Sequence, residues 1–173
     1  MKSVLISIKP KYCELIVNGE KTIEVRKTRP KIDTPFKCYI YMSQGDLKDL
    51  GLYSEWIYKN RMKVVGEFIC DKVDEYTFSH YCAEYRVNHV EQKSMCLNHP
   101  DLIHYGKGET IYGWRISDFK IYDKPKELSD FCIPCKTNCE DCKKPLFYDC
   151  WKEKGKIKVV TRPPQSYMYV EEI

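Results

Sequence analysis

The chain has 173 residues, about one domain, enough to bury a core without disulfides or metals as staples. Hydrophobic residues at 43% and charged residues at 31% exclude a disordered or fibrous chain, and no apolar run approaches the ~20 residues of a membrane-spanning helix. The net charge of +4 is unevenly placed: residues 1–37 carry nine Lys/Arg against four Asp/Glu, leaving −1 for the rest, a basic lobe that suits a polyanionic partner or an ordinary solvated face.

Residues 4–8 (VLISI) read as a first strand, too short for a signal-peptide core. Pro10 opens a helix, where its missing N–H does no harm. Tyr12, Leu15 and Ile16 recur at helical spacing, and Asn18-Gly19 supplies a left-handed stop. Residues 22–26 (TIEVR) alternate, so Thr22, Glu24 and Arg26 share one face while Ile23 and Val25 point into the core. A strand over 38–42 ends at Ser43-Gln44-Gly45. Residues 47–60 read as a helix kinked near Gly51. Residues 64–73 form a long strand in which Gly66 marks a bulge. Helical patches are expected over 79–105, Glu84 and Tyr85 among them, and strands over 111–117, 119–122 and 167–170. Strands outnumber helices, which favours a curved mixed sheet or small barrel with helices outside.

Residues 129–158 break this pattern and read as an insertion within a single domain spanning 1–173. The segment holds Cys132, Cys135, Cys139, Cys142 and Cys150, half of the ten cysteines. Without a secretion signal these predict reduced thiols in the cytoplasm, the clustered ones as metal ligands. Cys135-x3-Cys139-x2-Cys142-x7-Cys150 offers four thiolates, the tetrahedral set of a structural zinc, which replaces a hydrophobic core in so polar a segment. Cys132 is the other candidate first ligand.

The second chemical signal is Gly19-Glu20-Lys21-Thr22-Ile23-Glu24-Val25-Arg26. It displays Lys21 as a point cation at the mouth of a strand and Arg26 as a planar donor fork beside Glu24, a group fit to bind a polar ligand. An ordinary Glu24–Arg26 surface pair gives the same pattern. Trp114, following Gly113 where backbone bulk is removed, is the leading candidate for base stacking. The candidate ligand-binding set is Lys9, Lys21, Glu24, Arg26, Ser43, Gln44, Trp114, Gln165 and Ser166.

The stretch from Ile8-Lys9-Pro10 through the helix to Gly19-x-Lys21-Thr22-x-Glu24-x-Arg26 resembles the start of an ASCH domain, a branch of the PUA-like superfamily. Val64-Val65-Gly66-Glu67-Phe68 resembles that family's central strand and Tyr112-Gly113-Trp114-Arg115-Ile116 the following one. The closing segment from Arg162 to Val170 is similar to that of phage-associated and gut-bacterial members. The resemblance covers residues 1–124 and 159–173. It implies an α+β fold, a PUA-like mixed β-barrel with flanking helices and here a small zinc-binding insertion, with a cleft for RNA or a modified nucleobase. One bacterial relative is an amidohydrolase of N4-acetylcytidine that uses a lysine, a threonine and a glutamate. Its lysine maps onto Lys21, and its threonine falls where this chain has Glu24. Glu84 is the candidate for its glutamate, with Glu67 on the neighbouring strand. The resemblance thus implies binding of RNA or a modified nucleoside, or hydrolysis of acylated nucleosides by Lys21, Glu24 and Glu84. A protein-interaction module presenting the cysteine loop is the third reading. No membrane partner is expected.

Overall fold

The computed structural model describes residues 3–46, 53–134 and 159–173. Strand β1 (Ser3–Ile8) is apolar on both faces because both are covered: Val4, Ile6 and Ile8 enter one core cluster and Leu5 another. Helix α1 (Pro10–Val17) begins at Pro10 as expected, and Gly19, at φ +73°, turns the chain out of it. There follow β2 (Ile23–Arg26), β3 (Phe36–Met42), α2 (Glu55–Asn60) and β4 (Val64–Tyr76). Next come the short hairpin β5 (Phe78–Ser79) and β6 (Glu84–Tyr85), then α3 (His89–Met95) and α4 (His99–Gly106). The chain closes with β7 (Ile111–Lys126), β8 (Phe131–Cys132) and β9 (Tyr167–Glu172).

Three expectations need correction. The helix expected over 47–60 begins, among the described residues, only at Glu55, because the Ser54 hydroxyl accepts the Ile57 N–H and caps it there. Residues 47–52 lie outside the described residues. Glu84 and Tyr85 are strand, not helix; the helices of that region are α3 and α4, each started by a capping box, Asn88 with Glu91 and Asn98 with Asp101. The two strands expected over 111–122 are one, which continues through Asp118 by a left-handed residue (φ 45°). The bulge at Gly66 is present. The β4–β7 register shifts there, and a Cβ would meet the Lys120 carbonyl at 2.4 Å, so only glycine allows this approach.

Seven strands form one mixed sheet in the order β2-β7-β4-β3-β1-β9-β8, antiparallel except for the parallel β1–β3 pair. Three strands separate β2 from β1 in this ladder, yet Arg26 on β2 donates to the Ser7 carbonyl on β1 at 2.6 Å. The sheet therefore curls back on itself, and a side chain bridges its seam. Inside the curl lies the main core, with Ile6, Cys38, Ile40, Phe68 and Trp114 fully buried. Outside β2 and β7, the helices α3 and α4 bury Met95 and Leu102 against Ile23 and Val25. Phe131 and Val160 anchor the ends of the cysteine segment in a third cluster, and a Cys132–Val159 bridge brings those ends together.

Candidate functional site

The turn after α1 delivers Lys21 inward: the Glu20 and Lys21 N–H groups both donate to the Leu15 carbonyl, at 2.9 and 3.0 Å. Lys21 is 2% exposed. Its Nζ donates to the Met95 carbonyl at 2.6 Å, the last residue of α3, where a helix terminus presents partial negative charge. Nζ also lies 3.5 Å from Glu24 Oε2 and 5.1 Å from the centre of the Tyr12 ring. Burial lowers the pKa of this ammonium group, and the Glu24 carboxylate works against that shift.

Alternation in β2 puts Glu24 and Arg26 on the face opposite Ile23 and Val25, but that face is not solvent. All four residues are buried, because the sheet's interior covers one side and α3 and α4 the other. Arg26 Nε sits 3.1 Å from Glu24 Oε1, Nη2 donates to Ser7 O at 2.6 Å, and Nη1 donates to Ser166 O at 3.3 Å. One carboxylate is thus bracketed by two cations, all three almost dry, so the surface-pair interpretation of Glu24 and Arg26 does not hold. A buried charge group of this kind rarely adds stability over apolar packing.

Trp114 lies directly opposite Glu24 in the β2–β7 ladder. It is fully buried, edge-on to Phe36 (5.6 Å) and Tyr167 (5.7 Å), so the expected exposed stacking surface is absent. The space left by Gly113 is taken by Tyr76 and Ile23, either of which a Cβ would strike within 3 Å. Its indole N–H is buried too, and no described residue supplies an acceptor for it.

The remaining expected residues gather at the same end of the sheet. Lys9, exposed, precedes α1, and the Ser43 N–H donates to Ile8 O. Gln44 is exposed beside it, while Gln165 and Ser166 lead into β9 next to Ser7. The loop after β2 carries exposed Lys27, Arg29 and Lys31. Two tyrosines of β9 hold it: Tyr167 donates to Arg29 O at 3.0 Å, and Tyr169 accepts from the Lys31 N–H at 2.7 Å. Glu84 stands apart from this group, exposed on its hairpin 3.9 Å from His99 Nδ1. Glu67 faces the other side of the sheet, bound to Lys37 and Tyr122. Sequence reasoning missed the Met95, Ser7 and Ser166 carbonyls, which carry no side-chain signal, and placed Tyr12 only on the periodic face of α1.

Cys135, Cys139, Cys142 and Cys150 lie outside the described residues. Cys132, the other candidate ligand, is half-buried in β8, where burial pushes its thiol pKa up. Among the described residues no three His, Cys, Asp or Glu side chains are placed to hold a metal ion.

The ASCH domain profile matches residues 6–160, nearly the whole described sheet and the motif within it. The chain belongs to the ASCH domain family. Its structure is similar to the crystal structure of ASCH from Zymomonas mobilis, at 18% identity and a TM-score of 0.55, covering 98% of this chain and 87% of that one. A point variant of the same Zymomonas mobilis protein gives 16% identity and a TM-score of 0.54, with coverage of 98% and 88%. At these identities the likeness concerns the fold of the ASCH domain alone. No curated protein matches the chain at a significant level. Among the described residues no helix is long and apolar enough to cross a membrane.

Proposed function

We propose that this ASCH domain binds RNA or a modified nucleobase at the end of the sheet where Lys21, Glu24 and Arg26 converge. The observation that carries this is the pairing of a dry, polar cluster with an exposed cationic rim, Lys9, Lys27, Arg29 and Lys31, at one place. Charged groups are retained in a core at a cost, and a ligand-binding role accounts for retaining these. The rim supplies phosphate contacts that carry no sequence information, and the cluster supplies the polar contacts that do. The test is binding of a short single-stranded RNA followed across salt concentrations. Affinity is expected to fall linearly in log–log form, with a slope reduced by roughly one for each rim cation replaced by Ala. No binding at low salt overturns the proposal.

The contact between Lys21 and Glu24, with the lysine pKa lowered by burial, also supports the hydrolase reading. Release of acetate from N4-acetylcytidine, abolished in Lys21→Ala, is its test. Lys21 Nζ already donates to a main-chain carbonyl, and Glu24 occupies the threonine position of the amidohydrolase, so binding without turnover is the expected result.

We propose further that the cysteine segment holds one structural zinc through Cys135, Cys139, Cys142 and Cys150. The spacing supports this, and so does the Cys132–Val159 bridge, which closes the base of the segment. Elemental analysis is expected to find about one zinc per chain. Cys139→Ser is expected to abolish retention and Cys132→Ser to preserve it. Metal-free protein as isolated overturns the assignment.

A further inference from the structure

The loop that follows Arg26 is tied down at two main-chain atoms. Tyr167 donates its hydroxyl proton to Arg29 O at 3.0 Å, and Tyr169 accepts from the Lys31 N–H at 2.7 Å. These are the polar groups on either side of Pro30, which is buried and has no N–H of its own. Two residues apart on β9, the tyrosines share one face of the strand. Both rings pack on the main core, edge-on to each other at 5.9 Å, and Tyr167 is edge-on to Trp114 as well. Burial raises the pKa of the Tyr167 hydroxyl, so it keeps the proton it donates.

Exposure alternates along this loop. Arg29, Lys31 and Asp33 are exposed, Pro30 is buried between the first two, and Ile32 packs half-buried on the main core. Residues 27–33 carry three cations against one acid, Asp33. Among the described residues, none of Lys27, Arg29 and Lys31 enters an ion pair. A loop held through carboxylates on its own cations would be neutralised by what holds it. Neutral hydroxyls on the main chain hold this one and leave its charge whole for a polyanion. A mobile loop must also be ordered when a ligand binds, at a cost in affinity, and bonds that order it beforehand remove that cost. Resting on the RNA reading above, we propose that Tyr167 and Tyr169 are positioning residues for RNA. They keep the cationic loop ordered in the free protein, so that Arg29 and Lys31 meet the phosphate backbone without reorganisation.

The test removes hydroxyls and keeps rings. Tyr167→Phe with Tyr169→Phe deletes both ties, and Tyr122→Phe makes the same chemical change on the outer face of the sheet, where Tyr122 binds Glu67. Affinity of the full-length protein for a short single-stranded RNA is measured at low salt, well below the unfolding temperature of each variant. The double variant is expected to bind about tenfold more weakly, and Tyr122→Phe to bind as the wild type does. A second comparison isolates the route. In an Arg29→Ala, Lys31→Ala background the two Tyr→Phe changes are expected to cost little further affinity, because they act through the cations that the loop carries. Unchanged affinity in the double variant overturns the inference, as does an equal loss in Tyr122→Phe or a full further loss in the alanine background. Each of these results leaves the RNA reading standing, whereas no RNA binding by the wild-type protein overturns both. Should the variants fail to fold, or the alanine background bind too weakly to measure, amide exchange in the wild type decides. The Lys31 N–H is expected to exchange at least about tenfold more slowly than in an unstructured chain; exchange at the unstructured rate overturns the proposal.

Discussion

The interior cluster around Glu24 and the outer-face cluster around Glu67 and Glu172 use the same materials, strand carboxylates held by basic side chains. On the outer face each carboxylate accepts from one lysine and one tyrosine. Glu67 accepts from Lys37 at 3.0 Å and from the Tyr122 hydroxyl at 2.6 Å, while Glu172 accepts from the Tyr39 hydroxyl at 2.9 Å and from Lys126. Lys37 lies over the Tyr39 ring and Lys126 over that of Tyr122, so cations and carboxylates pair one to one. Water reaches these groups and screens what remains. In the interior the ratio is two cations to one carboxylate, and Arg26 Nε has no hydrogen-bond partner among the described residues. The difference follows from exposure: the outer-face groups share their charge with water, and the interior ones have only each other and the main chain.

The sharpest way to break this contrast is to remove each carboxylate. Glu24→Ala leaves Lys21 and Arg26 buried without a counter-charge and is expected to cost about 3–5 kcal/mol, read from urea unfolding. Glu67→Ala, in a partly hydrated site, is expected to cost about 1 kcal/mol. Equal losses at the two positions would erase the distinction.

The next effect is on acid stability. Burial alone would raise the Glu67 and Glu172 pKa values, but hydrogen bonds from Tyr122 and Lys37, and from Lys126 and Tyr39, outweigh it and hold both below the ordinary value of 4.5. A carboxyl group depressed on folding contributes stability that is full above its unfolded pKa and disappears as pH falls through the folded one. Thermal stability should therefore decline as pH drops below about 4.5, and Glu67→Gln with Glu172→Gln should flatten that decline. An unchanged acid profile in the double variant would sink the claim.

The smallest stability effect belongs to Lys21. Burial lowers its pKa against the pull of Glu24, so the unfolded chain binds more protons than the folded one as pH approaches 10.5 from below. The lysine thus costs stability near neutrality, and the cost eases as pH rises through that window. Lys21→Met leaves Glu24 paired with Arg26, should change stability by within about 1 kcal/mol, and should remove the alkaline gain. Its effect on RNA or nucleoside affinity should be far larger than its effect on unfolding. A variant that binds normally would separate Lys21 from the site.

The motif itself shows how much was legible. Pro10 and Gly19 fix the ends of α1, and alternation in β2 correctly separates Glu24 and Arg26 from Ile23 and Val25. The same alternation could not say that the polar face is also buried, because its neighbours there, Ser7 on β1 and Trp114 on β7, come from other strands of the sheet. Asn88 and Asn98 announced two helix starts three residues ahead of Glu91 and Asp101, a local signal that the reading passed over. Glu84 was assigned from a helical expectation and sits instead on a hairpin beside His99, since pairing with Phe78 and Ser79 overrode local propensity there.

Local chemistry in the sequence was sufficient for β1, α1 and the placing of Lys21 in the turn and of Glu24 and Arg26 on one face of β2. These depend on neighbours a few residues apart, where backbone sterics and side-chain periodicity act directly. The tertiary structure decided that the sheet curls until Arg26 meets Ser7, that Lys21 ends on the last carbonyl of α3, and that Trp114 is buried against Phe36 and Tyr167 instead of exposed. Those outcomes depend on contacts spanning up to 140 residues, and period-2 alternation records which side chains share a face but not what arrives to cover it.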